Sequence, residues 1–482
     1  MKRACLLIVL LLLVSRPAVT AGAGDRPRHP DELSLPALEF DMPEPVELRL
    51  GNGIRVLLFE NHDLPLVNLS AYLPMGDRFL PPSRHTASRL LSRVWDEGGI
   101  GDLAPDQVDA AVAALGMSLS AGVGDARAYV QASMVRDDLD EGAALWRDLL
   151  RRPRFDDERL ERAKDRLLKD VQGINDNPRR LADTWIMRLV AGPDSPEGRV
   201  HTRAGIEAVS REDIAALYRM FVQPERVVVG VSGDIVPAQA LALLEPLLGD
   251  WRGAADVPAL EPHVWTRDPR PGVYLLPGDH EQCHLRISRG VPGLTDLSAF
   301  YPETKLLDFG FGYLRVYYRA RGEGLSYGTT TRLTADADRG LLWAFGSTSP
   351  GKIADLITVV REELAGLSER PMSEEEVGTA RTFVLGTQVR SMETARRVVG
   401  VRLDEIVLDR PSGYTADLIA GLQAATPESV AETAARYMDL GDAPVVLVVG
   451  DPVVGDPDGG VEVLESLGLG PVTVLEPVVF GE

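Results

Sequence analysis

Cysteine is nearly missing from this 482-residue chain, which holds only Cys5 and Cys283. No low-complexity tract interrupts it, and beyond the N-terminus no apolar run is long enough to span a bilayer. Basic residues are also short: 51 Lys and Arg stand against 72 Asp and Glu, for a net charge of -21. That acidic balance argues against nucleic acid or an anionic membrane as partner, because both repel such a surface. What is present is ordinary for a globular chain, with 45% hydrophobic residues and mean hydropathy near zero. The length exceeds one ordinary core and suits several packed domains.

The first residues differ from the rest. Lys2 and Arg3 precede the apolar run Ala4 to Val14, and small residues follow at Val19-Thr20-Ala21 and Ala21-Gly22-Ala23. This charged, apolar and small-residue order is that of a secretory signal, residues 1–23. The apolar run is too short for a membrane span, and Cys5 lies at its start, where lipidation is not expected. Cleavage would remove three basic residues and no acid, leaving 48 against 72 and a net charge of -24. It would also leave Cys283 as the only thiol, so no internal disulfide forms and packing must hold the fold. The expectation is an exported chain, periplasmic or extracellular, with no membrane span after cleavage.

An internal repeat organises the remainder. Val209-Ser210-Arg211-Glu212-Asp213-Ile214 opens a helix, and Val227 to Asp234 follows as a buried strand. Ala425-Thr426-Pro427-Glu428-Ser429-Val430 and Val445 to Asp451 repeat that pattern at offsets of 216 and 217. Ser210 and Thr426 are natural N-caps, each with acid in the first turn, which suits the helix dipole. Upstream, Val46 to Leu50 and Ile54 to Phe59 flank Gly51-Asn52-Gly53, a tight-turn signal for a hairpin. A strand is expected near Val67 to Leu73, then helices over Arg84 to Trp95 and Pro105 to Leu115. Strands over Met117 to Ala121 and Ala128 to Met134 precede long helices at Leu139 to Leu150, Asp156 to Ile174 and Pro178 to Val190. Hairpin strands with helices in blocks imply an α+β fold: two homologous α/β-sandwich halves with antiparallel sheets. The expected boundaries are 24–253 for the first unit, a proline-bearing linker at 254–270, and 271–482 for the second.

Several motifs then resemble one family. Leu50-Gly51-Asn52-Gly53-Ile54-Arg55-Val56, Glu60 to Val67, Asp96-Glu97-Gly98-Gly99, Phe155 to Pro178 and Gly324-Leu325-Ser326-Tyr327-Gly328 occur in the order seen in insulinase/pitrilysin-like peptidases. The resemblance covers roughly residues 30–455. It implies paired α+β units closing as a clamshell around an extended peptide. In active members an inverted zinc motif, His-x-x-Glu-His, sits on a helix of the first unit.

Here the motif positions fall on Arg89, Ser92 and Arg93. Imidazoles at i and i+4 of a helix can converge on one Zn²⁺. Guanidinium groups at that spacing stay charged, offer no lone pair and repel the ion. A serine cannot replace the carboxylate that takes a proton from metal-bound water. The family's third ligand falls at Lys169 or Asp170, and one carboxylate is not a site. No metal or other cofactor is expected, with zinc belonging only to a partner subunit. Arg89 and Arg93 either form a solvated helix face, with Arg93 paired to Asp96 or Glu97, or line the old cavity and hold a peptide carboxylate or a partner.

His280-Glu281-Gln282-Cys283-His284 matches the ordinary H-E-x-x-H pattern. Its chemistry needs a helix. Leu276-Pro277-Gly278-Asp279 before it is turn material, and Leu285-Arg286-Ile287-Ser288 alternates as a strand does. Strand residues four apart lie roughly 13 Å from each other and cannot share one ion. The other histidines are scattered without ligand spacing.

In active members an Arg and a Tyr of the second unit reach the substrate near the zinc. The resemblance places Tyr327 at the Tyr position, while the Arg position falls on Ala320 between Arg319 and Arg321, leaving either as the candidate. Tyr327 could instead be a strand-start aromatic packed on the preceding helix. The leading expectation is a non-catalytic subunit that binds peptide and lends Tyr327, with Arg319, to a homologous zinc-bearing partner. The alternatives are a peptide-binding scaffold with no proteolytic role, and a self-sufficient zinc peptidase using His280 and His284.

Overall fold

The computed structural model describes residues 40–481 apart from 41, 255–256, 258, 263–268, 294–300, 336–339 and 442–443. The expected signal segment 1–23 and most of the 254–270 linker lie outside the described residues.

The first sheet has β1 (Val46–Arg49), β2 (Arg55–Glu60), β3 (Leu66–Pro74), β4 (Ser118–Val123), β5 (Arg127–Val135) and β6 (Val228–Gly233). Its order is β1-β2-β6-β3-β5-β4. The second has β7 (Gly272–Leu276), β8 (Cys283–Val291), β9 (Thr330–Ala335), β10 (Gly340–Thr348), β11 (Val445–Val449) and β12 (Val472–Val474), in the order β12-β7-β11-β8-β10-β9. Five strands of each sheet correspond in order and direction. Arg55 opposes Val228 in one parallel pair and Gly272 opposes Val445 in the other, both members displaced by 217 residues. The sheets are therefore mixed: mostly antiparallel, with a parallel pair at β2–β6 and at β7–β11. The edges differ, since β1 comes from the hairpin whereas β12 comes from the C-terminus and runs parallel to β7.

Helices cover each sheet. The first half carries α1 (His85–Val94), α2 (Pro105–Ala114), α3 (Leu139–Arg151), α4 (Asp157–Gln172), α5 (Pro178–Ala191), α6 (Arg203–Glu207), α7 (Arg211–Phe221) and α8 (Pro237–Leu248). The second carries α9 (Tyr301–Gly310), α10 (Tyr318–Gly322), α11 (Ile353–Gly366), α12 (Glu374–Arg390), α13 (Ala395–Val407), α14 (Tyr414–Ala424), α15 (Pro427–Tyr437) and α16 (Pro457–Glu465). A π-helical turn, Gly312–Tyr317, joins α9 to α10. The capping residues repeat as well. Ser210 and Thr426 accept from the backbone N–H three residues on, and Asn177 and Thr394 do the same for α5 and α13. Each such cap satisfies an end donor and contributes about 1 kcal/mol.

The halves exchange helices. Ala182, Ile186, Leu189 and Val190 of α5 pack on Leu276, Val445, Leu447 and Val449 of the second sheet. Reciprocally, Val399, Leu403 and Val407 of α13 pack on Leu57, Tyr72 and Val228 of the first. At Gly230 of β6 a Cβ would collide with Val399 and Leu403, so glycine allows this close docking. Buried apolar side chains each stabilise by roughly 1.5–3 kcal/mol, so the paired surfaces hold the two halves together without a disulfide. Ion pairs at the edges add Arg286 to Asp183 at 2.6 Å and Arg127 to Asp404 at 2.5 Å. The C-terminal residues cross back too: Phe480 enters the first core, and Asn175 bonds both its N–H and its carbonyl.

Candidate functional site

Helix α1 turns one face inward through Leu90, Leu91 and Val94, which leaves Arg89 exposed and Ser92 and Arg93 half-buried. The Ser92 hydroxyl accepts the Val123 N–H of β4 at 3.0 Å, and the Asp96 carboxylate accepts the Ala121 N–H at 3.3 Å. These two bonds pin the helix against the sheet edge. Arg93 does not pair with Asp96 or Glu97 as a local helix pattern suggested. Its Nη2 lies 2.6 Å from an Asp170 oxygen on α4, while Glu97 is taken by Arg166, also at 2.6 Å. The tertiary contact wins because α1 and α4 pack side by side and Asp170 offers a carboxylate on the facing surface.

The structure thus joins two of the four degenerate positions, Arg93 and Asp170, and the set does not fit a metal. The second imidazole position and the third-ligand position neutralise each other as an ion pair, and the hydroxyl at the base position serves the sheet. Lys169 is exposed and outside this pair. Arg89 and Arg93 also act on their surroundings. Half-buried His201, whose Nδ1 lies 3.1 Å from the Thr86 hydroxyl, is held down at about 4 by burial first and then by Arg89, Arg199 and Arg93. Asp77 is pushed up to about 6, chiefly by burial. His201 and Thr86 carried no sequence signal, since 115 residues separate them and only the return of the chain after α5 joins them.

His284 lies on β8, opposite Val449 and Ser347, and His280 sits in the turn before it. The segment is a strand near a turn, as the alternation predicted. Burial and Arg286 hold His284 at about 4, and burial pushes the Cys283 thiol up to about 11. Among the described residues no group of three or more His, Cys, Asp or Glu is placed to hold a metal ion.

In the second half, Tyr327 lies in the turn before β9 and is 83% exposed. It is not buried against the preceding helix, and meets it through Arg321. The Arg321 guanidinium lies 5.2 Å from its ring centre and 5.8 Å from that of Tyr317. Arg319 points elsewhere, bonded to Glu323, Glu362 and Glu363 at 2.9, 2.5 and 2.9 Å. Ala320 between them is buried. The structure brings Tyr327 together with Arg321, not with Arg319. The split is ordinary helix geometry, because residues two apart on α10 do not share a face; in the π turn before it, the Val316 N–H reaches back to the Phe311 carbonyl, five residues away. At Gly312 a Cβ would meet the Thr331 carbonyl at 2.5 Å, so the turn packs directly against β9. Arg315 is structural, gripping Glu376 through two 2.6 Å bonds and the carbonyls of Arg370 and Pro371.

Among the described residues, no helix is long and apolar enough to cross a membrane. Residues 208–383 match the family described as the peptidase M16 inactive domain. The chain is 26% identical over 351 residues to an uncharacterized zinc protease of Mycobacterium leprae, covering 71% of this chain and 78% of that protein. It is 21% identical over 413 residues to the non-peptidase homolog YmxG of Helicobacter pylori, covering 82% and 91%. Its fold is similar to a crystal structure of a peptidase M16 inactive domain from Pseudomonas fluorescens, with a TM-score of 0.73, 18% identity and coverage of 86% and 100%.

Proposed function

Starting from a chain that is a homologue of the M16, insulinase/pitrilysin-like, peptidases without their zinc motif, we propose that it binds peptide and assists a homologous zinc-bearing subunit in proteolysis. The observation that carries this reading is the Arg93–Asp170 ion pair standing where two metal ligands would converge. A charge pair there leaves this half without metal chemistry of its own, which supports a reading in which the activity resides in a partner. The exposed Tyr327 under Arg321 supports the second half of the proposal. A phenol and a guanidinium on the surface can donate hydrogen bonds to a substrate carbonyl held in the partner's site, which is how preorganised donors stabilise a developing oxyanion. The engagement of Arg319 by three glutamates makes Arg321 the cation of this pair. The charged, apolar and small-residue order of residues 1–23 supports export.

Purification from the native cell tests the reading. A similar exported chain with an intact inverted motif should co-purify, and its peptidase activity should fall when Tyr327→Phe or Arg321→Gln replaces the wild type. Recovery of monomer alone would refute the association. Full partner activity with both variants would favour the peptide-binding scaffold instead. Stoichiometric zinc in the purified chain would overturn both readings.

A further inference from the structure

The repeat gives the degenerate cleft a counterpart in the second half. Asp96 accepts from Ala121 N–H, and Asp308 accepts from Leu333 N–H at 2.5 Å. Both members are displaced by 212 residues, since 308 − 96 and 333 − 121 agree. The strand register agrees too, with Ala121 opposite Val130 and Leu333 opposite Leu342. Arg93 therefore corresponds to Lys305 on α9. On the long helix the displacement is 217, set by the N-caps Asp156 and Ser373, so Asp170 corresponds to Thr387 on α12. In the first half the ion pair spans the space between these positions. In the second half Lys305 and Thr387 both line a cavity of about 590 Å³.

Two kinds of surface meet there. One wall is aromatic: Phe309 stacks on Phe383 with ring centres 3.8 Å apart, and Tyr313 stacks on Phe309 at 5.4 Å. Tyr313 and Phe383 remain exposed. The other wall is polar. Lys305 and Arg332 both stand near enough to act on the Asp308 carboxyl, which burial nevertheless pushes up to about 7. Near neutrality that carboxyl does not cancel both cations, so the lining favours an anion. Thr331 lies behind this lining, on the buried face of β9, with its hydroxyl sealed from solvent.

We propose that this cavity binds the free carboxy-terminus of a peptide ending in a bulky apolar residue, its side chain on Phe309, Tyr313 and Phe383 and its carboxylate on Lys305 and Arg332. The proposal deepens the peptide-binding part of the function above and rests on it, adding which end of the peptide is held and where.

Calorimetric titration of the isolated full chain tests it, with no partner present. The probes are N-acetyl-glycyl-phenylalanine with a free carboxylate, its C-terminal amide, and N-acetyl-glycyl-aspartate. The free-carboxylate phenylalanine peptide should saturate, and the other two should bind at least about tenfold more weakly, the factor that corresponds to losing about 1.4 kcal/mol of contact. Lys305→Gln and Phe383→Ala, both at the cavity rim, should each weaken binding by about the same factor while circular dichroism stays unchanged. Equal affinity for acid and amide, no saturation at millimolar peptide, or variants that bind as the wild type does would each overturn the proposal. These outcomes are independent of partner activation. Loss of this site leaves the Tyr327 experiment standing, and failure of the Tyr327 experiment leaves this titration readable.

Discussion

Replacing Phe480 by alanine tests whether the C-terminus locks the two halves. The ring is 4% exposed, belongs to the first-half core, and lies 6.3 Å from the Trp185 ring centre. Phe→Ala in a core costs about 3–5 kcal/mol, from lost transfer energy plus the cavity left behind. A site near a chain end can collapse more readily than a central one, so the lower end, about 3 kcal/mol, is expected. The backbone should stay in place, because Asn175 still holds residue 480 through two 3.0 Å bonds. For domains of 150–250 residues each kcal/mol moves Tm by about 2–4 °C, and the larger entropy here should reduce that to roughly 1–2 °C. The variant should therefore melt about 3–6 °C lower, with α4 and α5 showing faster amide exchange than β10. A loss below about 1 kcal/mol, or exchange unchanged in α4 and α5, would mean that Phe480 is not in the core and that β12 alone anchors the terminus.

Arg319→Ala should destabilise by about 3 kcal/mol in denaturant titration, because Glu363, with a side chain 7% exposed, loses its close cation and keeps only Arg370 at 3.7 Å. A cost under about 1 kcal/mol would mean that the three-glutamate cage does not form. For Arg93 and Asp170, side chains 22% and 55% exposed, a double-mutant cycle should give only about 0.2–1 kcal/mol of coupling, largely lost in 1 M salt. Coupling above about 2 kcal/mol would contradict a solvent-screened pair. Asp308→Asn should flatten the pH dependence of stability between about 4 and 7. With its folded pKa raised to about 7, the native carboxyl binds more protons than the unfolded one in that window, so wild-type stability falls as pH rises through it. Melting curves of the two proteins that stay parallel across this range would refute the burial of Asp308.

The sequence by itself determined the repeat, the hairpin, the run of helices and the loss of metal ligands. These are local facts. Period, cap and turn chemistry act within a few residues, and the identities at 89, 92 and 93 decide coordination chemistry wherever the helix goes. The strand assignment of the H-E-x-x-H segment was legible for the same reason, since alternation and flanking turn residues act locally. Tertiary structure alone decided what those side chains do. Arg93 chose Asp170, which is 77 residues away, over acids three and four residues away because helix packing placed that carboxylate on the facing surface. Arg319 and Arg321 look interchangeable on a line of letters, but they lie on different sides of α10, and the packing of that helix turns one into glutamates and the other over Tyr327. The crossed helices α5 and α13 and the return of Phe480 were equally invisible, because an apolar face specifies burial and does not say against which half. Composition and spacing set which chemistries are possible, and the geometry of nonlocal packing selects among them.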